Sequence, residues 1–74
     1  MTAKREPNVG QRIRALREKQ RLSLRGLAER CGLSINAISR IERGENSPTV
    51  SSLHQLATAL GVAITDFFED ETDQ

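Results

Sequence analysis

The sequence predicts an all-α domain, a compact bundle of five short helices with a tight turn between the second and third. Three observations carry that expectation. Apolar residues recur at helical spacing along most of the chain, and no segment alternates apolar and polar residues as a half-buried strand does. Ser, Thr or Asn stands before each long apolar run, while Gly32, Gly44 and Gly61 stand where helices would stop. Finally, 74 residues suffice for one core only. A chain of that size buries roughly 60% of its unfolded surface, so it depends on compact, locally connected structure or on dimerisation.

The first helix begins after Pro7, with Asn8 as its cap and Gln11 at the N3 place of a capping box. Val9, Ile13 and Leu16 make one apolar stripe. Arg17 falls at the edge of that stripe, whereas Arg12, Arg14 and Lys19 point elsewhere. Residues 1–8 are expected to be a flexible arm. The second helix is capped by Ser23, runs from Leu24 to Cys31 and ends at Gly32 as a left-handed cap. Only Leu33 separates that glycine from Ser34, the cap of a third helix predicted from Ile35 to Arg43 and stopped by Gly44. Two helices joined so closely cross steeply, which is the helix-turn-helix arrangement.

After the loop Glu45–Pro48, the fourth helix starts from either Ser47 or Thr49. Its stripe is Val50, Leu53, Leu56, Ala57 and Leu60, and Gly61 ends it. A fifth, short helix around Ile64–Phe68 closes the core through Phe67. Phe68 is either core as well or an exposed dimer contact. The predicted domain therefore spans residues 9–68, and residues 69–74 form an acidic tail or linker.

Composition narrows the function classes. A lone cysteine, Cys31, gives no internal disulfide, fits a reducing cytosol and reads as a small half-buried apolar residue. No apolar run approaches the ~20 residues of a membrane span, and the N-terminal residues lead into no signal-peptide core. The expectation is a cytoplasmic protein with no membrane partner. His54 stands alone without ligand spacing, so neither a metal nor a cofactor is expected. With no nucleophile–base pair and no phosphate-binding glycine loop evident, the chain does not read as an enzyme.

Charge is more informative. Residues 1–44 hold all eleven Lys and Arg against four acids, a net +7, while residues 45–74 hold six acids and no Lys or Arg, a net −6. Such polarity suits one face turned to a polyanion, although a salt-bridged, solvated surface would share it. The third helix sharpens the choice. With Ile35 at zero on a helical wheel, Ala37, Ile38 and Ile41 lie between about 200° and 300°, and Asn36, Ser39, Arg40 and Arg43 between about 40° and 140°. The outer face carries no acid, since Glu42 falls at the margin of the core face. An ordinary solvated helix mixes both signs, whereas a helix reading a DNA groove needs Asn, Ser and Arg for base edges and must not repel phosphates. Spacing adds its own constraints, with Leu27 at the fourth place of the motif: Ala28 permits close helix approach, Gly32 accepts positive φ, and Ile38 and Ile41 pin the third helix against the second.

On Ile13-Arg14-Ala15-Leu16-Arg17, Leu22-Ser23 with Leu27-Ala28, Gly32-Leu33-Ser34, Ile38-Ser39-Arg40-Ile41-Glu42-Arg43-Gly44 and Leu60-Gly61-Val62, the stretch Val9–Phe68 resembles the lambda-repressor-like helix-turn-helix family, of the Cro or xenobiotic-response-element type. The resemblance implies a five-helix bacterial or phage regulator, repressor-like, that binds double-stranded operator DNA as a homodimer. By position it makes Ile35, Asn36, Ser39 and Arg40 base-contacting residues. Ser23, Arg25, Ser34, Arg43, Asn46 and Ser47 become phosphate-contacting residues. It makes Arg17 and Glu42 a buried ion pair, and a dimer interface is expected at Ile64 and Phe68. Two positions depart from the family pattern. Leu24 stands where many members carry a Gln that touches phosphate, and Ile35 stands where a polar residue is common. Ile35 is either a partly exposed apolar residue or a contact for a thymine methyl. A different class of reading is a protein-interaction module, antitoxin-like, that keeps the fold without DNA; the acid-free outer face argues against it.

Overall fold

The computed structural model describes residues 8–68, so the acidic tail expected over 69–74 and all but Asn8 of the expected arm lie outside the described residues. Four α-helices follow in order: α1 Val9–Lys19, α2 Leu24–Cys31, α3 Ile35–Glu42 and α4 Val50–Leu60. A 3₁₀ helix, Ile64–Phe68, comes last. Among the described residues there is no strand.

Local chemistry sets these boundaries. Side-chain oxygens of Asn8, Ser23, Ser34 and Thr49 accept from the backbone N–H three residues on, at 2.9–3.3 Å, satisfying one orphan donor at each helix start. Of the two candidate caps for α4, Thr49 is the one used. Gly32 and Gly61 end α2 and α4 with φ of 79° and 73°. α3 stops one residue before the predicted end, with Arg43 as its cap. The last segment is 3₁₀ rather than α because it is five residues long and tightened by its own turn: Asp66 N–H bonds Ala63 O, and Asp66 Oδ2 accepts from Ala63 N–H.

The core takes one fully buried large side chain from each element: Ile13, Leu27, Ile38, Leu56 and Phe67. Ala28, Cys31, Ile41, Leu53, Ala57 and Leu60 complete it. Long polar side chains tie the helix ends together around that core. Gln20 Nε2 donates to Leu60 O at 2.7 Å, Gln55 Nε2 to Cys31 O at 3.3 Å, and Arg12 Nε to Asp66 O at 2.9 Å. The bonds from Gln20 and Gln55 serve the carbonyls of Leu60 and Cys31, the last residues of α4 and α2, which lack an intrahelical donor.

One close approach fixes where α3 sits. Gly10 in α1 is buried, and a Cβ there would overlap Ile41 O and stand 2.9 Å from Glu42 O. Only glycine lets α1 lie against the carbonyl end of α3.

Candidate nucleic-acid interface

α3 is held from within and open outward. Ile38 and Ile41 are 0% and 5% exposed and anchor it on the core, while Asn36, Arg40 and Arg43 are exposed and Ser39 is half-buried. Ile35, 39% exposed, stands at the start of the same helix. The structure therefore brings Ile35, Asn36, Ser39 and Arg40 onto one short element, with Ser39 the least accessible of the four. Because Ser34 Oγ takes the Ala37 N–H, the N–H groups of Ile35 and Asn36 at the helix start are left for an outside acceptor.

Neighbouring elements extend this surface. Arg25, Ala28, Glu29, Leu33, Ser34 and Ile35 line a shallow open hollow between α2 and the start of α3, which places Arg25 beside Ser34 and Ile35. Ser23, at the cap of α2, is exposed as well. Leu24 turns inward and packs against the core, so it adds nothing polar to this face. On the other side of α3, Asn46 and Ser47 are exposed in the loop that follows it.

Two ion pairs flank the helix, and they differ in burial. Arg17 and Glu42 meet as a fork, Nε to Oε2 at 2.8 Å and NH2 to Oε1 at 3.0 Å, with side chains only 11% and 6% exposed. Arg17 NH1 also donates to Leu22 O at 2.8 Å. One guanidinium thereby fastens the C-terminal end of α3 to α1 and to the α1–α2 turn. Its hydrogen bonds to Glu42 hold the Arg17 proton above the usual arginine range, outweighing the opposing effect of burial. The second pair is open to solvent: Arg43 Nε lies 3.1 Å from Glu45 Oε2, and Arg43 NH2 donates to Glu45 Oε1 at 3.2 Å, with exposures of 58% and 54%.

The residues expected at a dimer interface are divided. Phe68 is 45% exposed, while Ile64 is half-buried and packs against the core. No group of His, Cys, Asp and Glu that could hold a metal occurs among the described residues. None of the described helices is long and apolar enough to cross a membrane.

Four participants have no signature in the sequence that would assign their roles. Gly10 sits inside an ordinary helical pattern, and only the approach of α3 reveals its task. Gln20 and Gln55 read as solvated polar residues. Glu45 was legible only as part of a loop; its pairing with Arg43, two positions earlier, depends on the turn that Gly44 makes at φ 78°.

Comparison with known proteins places this geometry. A family model described as Helix-turn-helix matches residues 13–67. The immunity repressor protein of Bacillus phage phi105 is 39% identical over 64 residues, which are 86% of this chain and 44% of the repressor. The restriction-modification controller protein C.AhdI from Aeromonas hydrophila superposes with a TM-score of 0.81 at 34% identity, covering 84% of this chain and 94% of that one. SinR of Bacillus subtilis, the master regulator for biofilm formation, solved in complex with DNA, gives a TM-score of 0.78 at 31% identity, over 82% of this chain and 98% of that one. The chain spans less than two thirds of the length of the curated relatives it matches, 33% of the regulator PuuR of Escherichia coli and 60% of a Rhodospirillum rubrum regulator.

Proposed function

The chain belongs to the helix-turn-helix family, whose model covers residues 13–67, and from that membership we propose that it is a transcriptional regulator binding double-stranded operator DNA with the outer side of α3. The observation that carries the reading is the outer side of α3 itself. Asn36, Arg40 and Arg43 are exposed there, while the acid of the helix, Glu42, is turned under and paired with Arg17.

In this reading the unit that docks is 9–68, with the arm before it and the acidic segment after it as attachments, and it works in the cytoplasm of a bacterium. α3 enters the major groove. Arg40 takes a guanine edge as a fork, Asn36 and Ser39 pair with neighbouring base edges, and the Ile35 side chain meets a thymine methyl. Ser23, Arg25, Ser34, Arg43, Asn46 and Ser47 hold phosphates and fix the register. Because Leu24 packs inward, grip on that side of the half-site falls to Arg25. One such domain makes few base contacts, and each good pair is worth about 1–3 kcal/mol of discrimination. A two-fold dimer on half-sites about one helical turn apart supplies the rest, with Phe68 the residue at its interface. Catalysis has no place in this reading.

The experiment is selection of bound sequences from a random duplex pool. A two-fold symmetric site is the expected outcome, and Arg40→Ala should relax one base pair in each half while leaving the others in place. Recovery of no common sequence would falsify the recognition-helix assignment.

A further inference from the structure

The Arg43–Glu45 fork stands on the surface assigned to DNA, yet it is an interaction of the free domain. A carboxylate offers two oxygens to a guanidinium in the geometry that a phosphate offers. Here Arg43 NH2 donates to Glu45 Oε1 at 3.2 Å, and Nε stands as an ion-pair contact 3.1 Å from Oε2. Arg25 and Arg40, the other cations of this face, form no ion pair among the described residues. The outer face was acid-free by helical wheel, but the wheel stops at Arg43. The turn at Gly44 brings an acid back to it.

We infer that Glu45 is a specificity-determining positioning residue that occupies Arg43 as an internal phosphate substitute and withholds it from DNA docked out of register. The inference deepens the DNA-binding reading and rests on it. A duplex held loosely, without base contacts on α3, gains only an exchange of carboxylate for phosphate at Arg43. A duplex seated by Asn36, Ser39 and Arg40 brings its phosphate close enough to displace Glu45. The fork is exposed, so it opens cheaply when seated DNA asks for it. Exposed pairs of this kind are worth about 0.2–1 kcal/mol, which corresponds to no more than about a fivefold change in binding.

The test is a double-mutant cycle on binding to a short random-sequence duplex across a salt series. Glu45→Gln in the otherwise native chain should tighten random-duplex binding about three- to fivefold. The slope of log affinity against log salt should steepen by about 0.9 per protomer, one phosphate more neutralised. In an Arg43→Gln background the same Glu45→Gln change should have less than about a twofold effect, since only a screened surface charge is then removed. Equal effects in the two backgrounds would mean that Glu45 acts as a plain negative charge, and the inference is overturned. An unchanged or weakened affinity in Glu45→Gln overturns it as well. Both side chains are exposed, so an unaltered melting curve is the check that no variant has unfolded. If the unsubstituted chain ignores duplex at every salt concentration, it is the DNA-binding reading that fails, and that outcome is distinct from the others.

Discussion

Arg17 reaches two places with one planar group, donating to Glu42 on α3 and to Leu22 O in the α1–α2 turn. Breaking such a pair from one side strands a buried charge. Glu42→Ala should therefore cost about 3–5 kcal/mol, read from urea unfolding, while the double change Arg17→Met with Glu42→Leu should recover most of the loss. If the single and double variants were equally unstable, the pair would not be the cause. The pH sense follows from the raised Arg17 proton affinity: the stability it contributes is complete below the unfolded-state value and is lost only as pH climbs through the folded one, far into alkali. This group therefore adds no slope to stability across neutral pH. Gly10 is a sharper case of position over residue type. Alanine favours a helix interior by about 1 kcal/mol over glycine, so in isolation Gly10→Ala would stabilise α1. Against Ile41 O and Glu42 O the methyl has no room, and the net expectation is a loss of about 1–3 kcal/mol in thermal or urea unfolding. A gain in stability would show that α1 and α3 separate easily. Arg17 was legible through the family resemblance, with which its place at the edge of an apolar stripe agreed; Gly10 was not, because helical spacing contains no information about which backbone lies opposite.

Helix α3 owes its start to Ser34, and the same residue is assigned a phosphate, so stability and binding are entangled in any simple removal of its hydroxyl. Aspartate separates them. It caps as well as serine does, but it sets a negative charge where the N–H groups of Ile35 and Asn36 face outward. Ser34→Asp should leave the melting temperature unchanged to within about 0.5 kcal/mol of stability, and should lower duplex affinity about tenfold, like-charge opposition across a docking surface costing this much or more. Equal duplex binding by the two proteins would place the phosphates elsewhere. The caps and stops of α1 to α4 were readable because each is a local event, a side chain bonding a backbone group three residues away. The last segment was readable in position but not in type. Ile64–Phe68 is fixed by Phe67 entering the core and by Arg12 reaching Asp66 O from α1, and neither contact leaves a periodic trace in five residues. The choice between Ser47 and Thr49 was likewise undecided by composition, since either residue can cap.

Charge separation along the chain becomes a distinction between sides only when the helices pack, and that step makes the proposed docking testable without knowledge of the operator. The whole chain carries a net charge of +1, so bulk attraction between protein and DNA is weak. Steep salt dependence has to come from cations gathered at the contact. Two are assigned to phosphates in each protomer, Arg25 and Arg43, and a dimer therefore neutralises about four, for a slope of log affinity on log salt near −3.6 on the selected site. Arg43→Ala should bring that slope to about −1.8 and weaken the selected site without changing which base pairs are preferred, whereas Arg40→Ala, which gives up a base edge rather than a phosphate, should leave the slope where it was and spoil discrimination. The reverse pattern would put Arg40 on the backbone and Arg43 in the groove. That exchange is conceivable from the sequence, where both residues fall on one side of the wheel. In the folded chain it runs against placement: Arg43 is the C-cap of α3, where its fork with Glu45 ties it to the loop beyond the helix, while Arg40 stands a turn earlier with Asn36 and Ser39.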